Sequence, residues 1–194
     1  MAVINLLVEG EIDEIVAHKI VLGVGHQVGA TYGKKGSGYI KNKIQDFNKS
    51  AQNICYLSLV DFMDTKCKCP SEVISNWLPH KNTLMIFRVV VREIESWLLA
   101  DRKNIAKFLN VSLEKIPRHP EAEDDPKQKL VNIARYSRSS KIRSSLVPEQ
   151  NSTAQVGKLY TSEMKRFVHE FWDINSARKN SPSLDKCFKR IKEI

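Results

Sequence analysis

The sequence predicts an α/β fold: a mostly parallel sheet flanked by helices over residues 1–116, then a basic, mainly helical extension over 117–194 packed on it. Two observations carry the first part. Three short runs, AVINLLV, ICYLSLV and TLMIFRVVV, are apolar almost throughout and rich in β-branched residues, as strands buried on both faces are. Stretches of helical spacing separate them, and that alternation builds a parallel sheet through crossover helices. Charge carries the second part. The net +9 is confined to the chain beyond residue 125, where 15 Lys/Arg stand against 6 Asp/Glu; before it the count is 16 of each.

In chain order, Ala2–Val8 reads as the first strand, ended by Glu9-Gly10. Ile12–Leu22 follows with Ile12, Ile15, Val16, Ile20 and Leu22 at helical spacing. Gly23–Gly38 holds six of the eight glycines and reads as loop, with a short strand around His26–Ala30. Tyr39–Ser50 reads as a helix, Ile54–Val60 as the second buried strand, and Pro70–Trp77 as a helix with proline in its first turn. Thr83–Val91 is the third buried strand and Glu93–Leu109 one long helix. Past the polar connection RHPEAEDDPKQ, helices are expected at Lys127–Arg135, Thr161–Trp172 and Ser183–Ile191, separated by basic Ser-rich loops.

Several function classes receive no support. The start of the chain turns acidic after a few apolar residues, unlike a signal peptide, and no apolar run approaches the ~18 residues of a membrane span. Cys55, Cys67, Cys69 and Cys187 lack the spacing of a zinc site or a disulfide framework, so the expectation is a reduced cytoplasmic protein without a membrane partner. GVGHQVGATYGKKGSG lacks the GxxxxGK[ST] order that cradles a nucleotide and reads as a basic loop. The five histidines form no paired metal spacing, and Trp77, Trp97 and Trp172 lie on apolar helical faces and read as core.

Each buried strand ends in acid. The first gives Glu9, with Asp13 one helical turn further on; the second gives Asp61 and Asp64; the third gives Glu93 and Glu95. Ligands of parallel sheets bind at strand carboxyl ends. Carboxylates gathered there repel one another unless a cation neutralises them, and Mg²⁺ or Mn²⁺ with oxygen ligands is the expected solution. The structural alternative is that such acids complement helix N-termini.

LLVEGEIDE, LSLVDFMDT and FRVVVREIESWLLADR resemble segments of small Toprim-like proteins of bacterial anti-phage systems, which are similar to the Toprim nuclease domain of overcoming-lysogenization-defect nucleases. The resemblance continues through DDPKQKLVNIARYSR, KIRSSLVP, VGKLYTSEMKRFVHEFWD and SPSLDKCFKRI, with REIESWLLAD its most specific part. It implies a Toprim fold and a metal-dependent nuclease of nucleic acid, DNA foremost, working with a separate ATPase partner. It also implies that Glu9, Asp61 and Glu93 are catalytic, and that they hold metal with Asp13, Asp64 and Glu95. One departure stands out: the usual Asp-x-Asp is Asp61-Phe62-Met63-Asp64 here, so Asp64 joins the others only if the chain turns early. A degenerate, non-catalytic Toprim subunit of a defence complex is the alternative.

The basic part supplies the expected nucleic-acid contacts. Lys127, Lys129 and Lys158 lie in the family-like segments DPKQK and VGK, and Arg135, Arg138, Lys141 and Arg143 form the denser cluster ARYSRSSKIR. Clustered Lys/Arg track a phosphate backbone, and serine hydroxyls add hydrogen bonds to it.

Overall fold

A computed structural model describes all residues, Met1–Ile194. The chain divides into two compact units, one of Met1–Val91 with Ser183–Ile194 and one of Arg92–Pro182. The division falls directly after the last strand.

The first unit is α/β. Its strands are β1 (Val3–Val8), β2 (Gln27–Gly33), β3 (Cys55–Asp61) and β4 (Met85–Val90), in one all-parallel sheet of order β2-β1-β3-β4. Helices α1 (Glu11–Gly23), α2 (Gly36–Ser50) and α3 (Pro70–Trp77) make the crossovers. The β1-to-β2 step runs one way along the sheet and the β2-to-β3 step runs back past β1. Right-handed crossovers therefore put α1 and α2 on opposite faces. Leu7, Tyr56, Val60, Phe87 and Val89 form a core against Ile40 and Ile44 of α2 and Val73 and Trp77 of α3. The alternate residues Ile4, Leu6, Val8, Leu57 and Leu59, all fully buried, point to the α1 side. There too lies the closing helix α10 (Pro182–Lys192): Arg88 donates to the Lys186 carbonyl at 3.1 Å and Arg190 to that of Thr83 at 3.0 Å.

β2, expected only as a short strand, reaches Gly33 because its weakly apolar sequence QVGATYG is carried by pairing with β1. The register slips between Ile4 and Leu6, where the Asn5 side chain accepts the Ala30 N–H at 2.8 Å. At the other end Gly33 sits at φ +96°, and a β-carbon there would lie 2.3 Å from the Val8 carbonyl oxygen. That approach lets the next amide, Lys34 N–H, bond the same carbonyl at 2.8 Å.

The second unit is helical: α4 (Ile94–Ala100), α5 (Arg102–Leu109), α6 (Pro126–Arg135), α7 (Ser140–Leu146), α8 (Tyr160–Glu170) and α9 (Ile174–Ala177). The single helix expected over Glu93–Leu109 is broken at Asp101, whose ψ of 64° is not helical. Its fully buried carboxylate instead accepts from the Asn104 amide at 2.8 Å and the Asp173 N–H at 2.7 Å. The Ser-rich stretch after residue 138, expected as loop, is α7, capped by Ser139 accepting the Ile142 N–H. Trp97 and Trp172 are core as expected, joined by the indole N–H of Trp172 donating to the Trp97 carbonyl at 3.1 Å. No helix is long and apolar enough to cross a membrane.

Two glycine substitutions should separate strain from propensity. Gly33→Ala should cost about 1–3 kcal/mol in denaturant titration, because it combines a positive φ with a collision on Val8. Gly38→Ala, in the first turn of α2 with open space around the new methyl, should stabilise by about 0.5–1 kcal/mol.

Candidate functional site

The crossover direction reverses at β1 and β3, the point at whose carboxyl ends ligands of such sheets bind, and four of the six predicted acids lie at that end. Glu9 follows β1 directly and accepts the Asp61 N–H on Oε1 at 2.8 Å. Asp13, in the first turn of α1, is 6% exposed, and its Oδ2 lies 3.2 Å from where a β-carbon on Gly10 would sit. Gly10 thus leaves room for the Asp13 carboxylate beside Glu9. Asp61 is the last residue of β3 and is 8% exposed.

Asp64 reaches the group by a 3₁₀ turn, Phe62–Thr65, that starts as soon as β3 ends. Three residues per turn bring position i+3 back over position i, so Asp64 returns over Asp61 while Met63 swings into solvent, 42% exposed. There the Asp64 charge lies close enough to Glu9 to raise its carboxyl.

Burial pushes the Glu9 carboxyl up to about 8. The Asp61 N–H opposes this, and the charges of Asp13 and Asp64 reinforce it; no cation is among the groups that move it. A proton shared within a cluster of acids is the state expected where like charges must coexist without a positive partner. The glycine-rich loop borders the same edge: Lys34 N–H bonds the Val8 carbonyl, Gly36 N–H bonds the Glu9 carbonyl at 3.1 Å, and the Lys34 ammonium pairs with Glu14 at 3.1 Å.

Glu93 and Glu95 belong to the second unit and have partners of their own. Glu93 precedes α4 but does not cap it; its carboxylate accepts the Lys127 N–H at 3.1 Å, at the start of α6, and the Lys127 ammonium at 3.3 Å. Glu95 is fully buried, 3.8 Å from the Lys127 ammonium, and accepts the Tyr160 hydroxyl on Oε1 at 3.0 Å while Oε2 has no hydrogen-bond partner. Burial raises its carboxyl to about 7 against the pull of Lys127, and burial with the neighbouring Glu95 charge raises the Tyr160 hydroxyl well above its usual range. Arg92, between β4 and Glu93, takes a left-handed φ of 68° and pairs with Asp124 at 3.4 Å.

The sequence-predicted acids thus form two groups, one in each unit. The donors in both are carboxylate oxygens, the kind that Mg²⁺ and Mn²⁺ take. In neither unit are three or more Asp, Glu, His or Cys side chains arranged to hold a metal ion. The first group fits a hard cation in donor chemistry, and Glu9 is the side chain whose protonation such an ion would displace. The second group already contains a cation, the Lys127 ammonium.

The predicted basic residues also sort into two kinds. Lys127 is engaged as described, Lys129 pairs with Glu123 at 3.0 Å, and Lys158 pairs with Glu149 at 2.8 Å. Arg135, Arg138, Lys141 and Arg143 are exposed and form no ion pair; Arg143 donates to the Ser137 carbonyl and Arg135 to Asn132. Tyr160 and Asp101 are the functional-looking polar residues that sequence reasoning missed. A lone tyrosine at the start of an amphipathic helix and an aspartate inside a helical pattern carry no local signal of burial.

No protein-family model matches the chain, and no curated protein and no solved structure matches it either.

The carboxyl shifts set the pH response of the metal-free protein. The folded chain keeps protons on Glu9 and Glu95 that the unfolded chain releases above 4.5, so stability should fall as pH rises from 4.5 through 7 to about 8. Glu9→Gln should flatten the upper part of that profile, and a wild-type stability that instead rises over this range would contradict the burial argument. Lys127→Met leaves two acids without their cation and should cost about 1–3 kcal/mol, since a half-exposed pair loses less than a fully buried one. Urea unfolding of the variant at mildly acidic and mildly basic pH should show the larger loss at the higher pH.

Proposed function

We propose that the chain is a Toprim-type, divalent-metal-dependent nuclease that hydrolyses nucleic-acid phosphodiesters, with Mg²⁺ or Mn²⁺ held by the carboxylates at the ends of β1 and β3. The observation that carries this reading is the return of Asp64 to Glu9 through the 3₁₀ turn, beside buried Asp13 and Asp61. The likeness of LLVEGEIDE and LSLVDFMDT to Toprim-like defence proteins supports it, and so does the parallel sheet whose switch point lies at these residues. Glu9, Asp13, Asp61 and Asp64 would hold the ion. When bound, the ion supplies Lewis acidity and an activated water. What the chain itself contributes is position. The Asp61 N–H fixes the Glu9 carboxylate, Gly10 gives Asp13 room, and burial holds a proton on Glu9 that a bound cation would displace. Glu93 and Glu95 would belong to the same chemistry by the likeness, and in the second unit they are held with Lys127. By the same likeness the setting is cytoplasmic bacterial anti-phage defence, with DNA the first substrate and a separate ATPase as partner.

One observation favours a second reading, a degenerate Toprim fold that binds nucleic acid or protein without cleaving. No side-chain group is arranged to hold a metal, and Lys127 already neutralises the Glu93–Glu95 pair.

Cleavage assays on plasmid, single-stranded DNA and RNA with Mg²⁺ or Mn²⁺ separate the two. The nuclease reading expects metal-dependent nicking that Glu9→Gln or Asp64→Asn reduces by at least ~100-fold, the scale on which positioned electrostatic groups act. It also expects Mn²⁺ to raise the melting temperature of wild type more above pH 8 than below it, because the Glu9 proton must leave first. Cleavage that survives both substitutions would sink the acidic-site assignment, and absence of cleavage and of any metal-induced stabilisation would favour the binding module.

A further inference from the structure

The second unit carries an exposed aromatic ring set in its densest basic segment. Residues 127–144 contain six Lys/Arg and no Asp/Glu, and Tyr136 lies at their centre, between Arg135 and Arg138. Its side chain is 66% exposed, far more than any other large aromatic; Tyr32, the next, is 38% exposed and rests on Phe47 at 5.1 Å. Leaving a tyrosine ring in water forgoes a large burial gain. Tyr136 is not part of the core, and its ring meets the Lys115 ammonium.

The ring is presented by a fixed backbone. Tyr136 ends α6, its N–H bonded to the Ile133 carbonyl at 3.0 Å, and the Ser137 N–H bonds that of Ala134 at 3.0 Å. Arg138 N–H ties the following turn to the Asn110 carbonyl at 3.2 Å, and the Arg143 guanidinium holds the Ser137 carbonyl from α7. The Lys115 ammonium sits 3.9 Å from the ring centroid, which sets a cation against the π-system and beside whatever stacks on it. From Arg135 an open groove of about 690 Å³ runs between α6 and α7, lined by Arg143, Ser144 and Pro148. Glu149 at its far end is paired with Lys158.

An exposed aromatic ring with a lysine against it, within a segment rich in arginine, is the kind of arrangement that binds single-stranded nucleic acid: the bases stack and the phosphates follow the charge. Bases in a duplex are stacked on each other and cannot use the ring. We propose that Tyr136 is a base-stacking residue and that the Lys115, Arg135, Arg138 and Arg143 surface around it binds single strands in preference to duplex. This deepens the nuclease reading by naming its substrate class, and it rests on that reading only for the nucleic-acid partner, not for cleavage.

The test is binding of the full chain to labelled oligothymidine, oligouridine and a duplex of the same length, by fluorescence anisotropy in EDTA so that no cleavage is needed. Tyr136→Ala should weaken both single strands about tenfold and leave duplex binding within about twofold, whereas Tyr136→Trp should keep wild-type affinity. Arg138→Ala should weaken all three and lower the salt dependence. The proposal is overturned if Tyr136→Ala binds single strands like wild type, if it loses duplex and single strand equally, or if poly-glutamate displaces the oligonucleotide as readily as unlabelled oligothymidine. A wild type that binds no oligonucleotide overturns it together with the nucleic-acid partner. Tyr136-dependent binding without cleavage leaves it standing while the nuclease reading fails. The ring is exposed and its substitution removes no core contact, so unchanged circular dichroism is the expected control.

Discussion

The hydrogen bond that Glu9 accepts from the Asp61 amide organises the acidic end of the parallel sheet. It joins the residue just past β1 to the last residue of β3, at the point where the crossovers reverse direction. Glu9 can make this bond only because β1 and β3 are neighbours, and they are neighbours only because β2 was laid on the far side of β1. Asp13, Gly10 and the 3₁₀ turn bearing Asp64 are arranged around that contact. Burial and the charges of Asp13 and Asp64 raise the Glu9 carboxyl, so Glu9 is the acid of this group that holds its proton to the highest pH.

The second unit meets the same problem with a different solution. Glu95 is more deeply buried than Glu9, yet it has Lys127 and Tyr160 within reach, and Glu93 shares the lysine while satisfying a backbone N–H at the start of α6. A buried acid with an internal counter-ion is a structural element as much as a site, because removing either partner strands a charge. Two acidic groups that look alike in sequence are therefore electrostatically unlike.

The basic surface divides along similar lines. Lys129 and Lys158, singled out with the cluster at the sequence level, are spent on Glu123 and Glu149, whereas Arg135, Arg138, Lys141 and Arg143 come from a segment with no acid in it. A further block of positive charge, on α10, returns to the first unit, where Arg88 and Arg190 tie that helix to the sheet region.

Much of the fold was legible residue by residue, and the physical reason is that its signals are local. AVINLLV, ICYLSLV and TLMIFRVVV read as buried strands from their own composition, Pro70 marked α3, and the acids after each strand were visible as candidates. β2 was only half visible, since a strand built from QVGATYG owes its existence to pairing with β1 rather than to its own apolarity. The break at Asp101 and the helix α7 were hidden for the same kind of reason: a buried cap partner, Asp173 N–H, and a Ser139 cap act through space or against a loop-like composition. What the sequence by itself determined about this protein is a parallel α/β core with acids at its strand ends and a basic helical remainder. What only the tertiary structure decided is which acids meet, how Asp64 rejoins Glu9 despite its spacing, and which charges are already paired. Strand order and side-chain pairing depend on contacts between residues distant in the chain, and no local pattern encodes those.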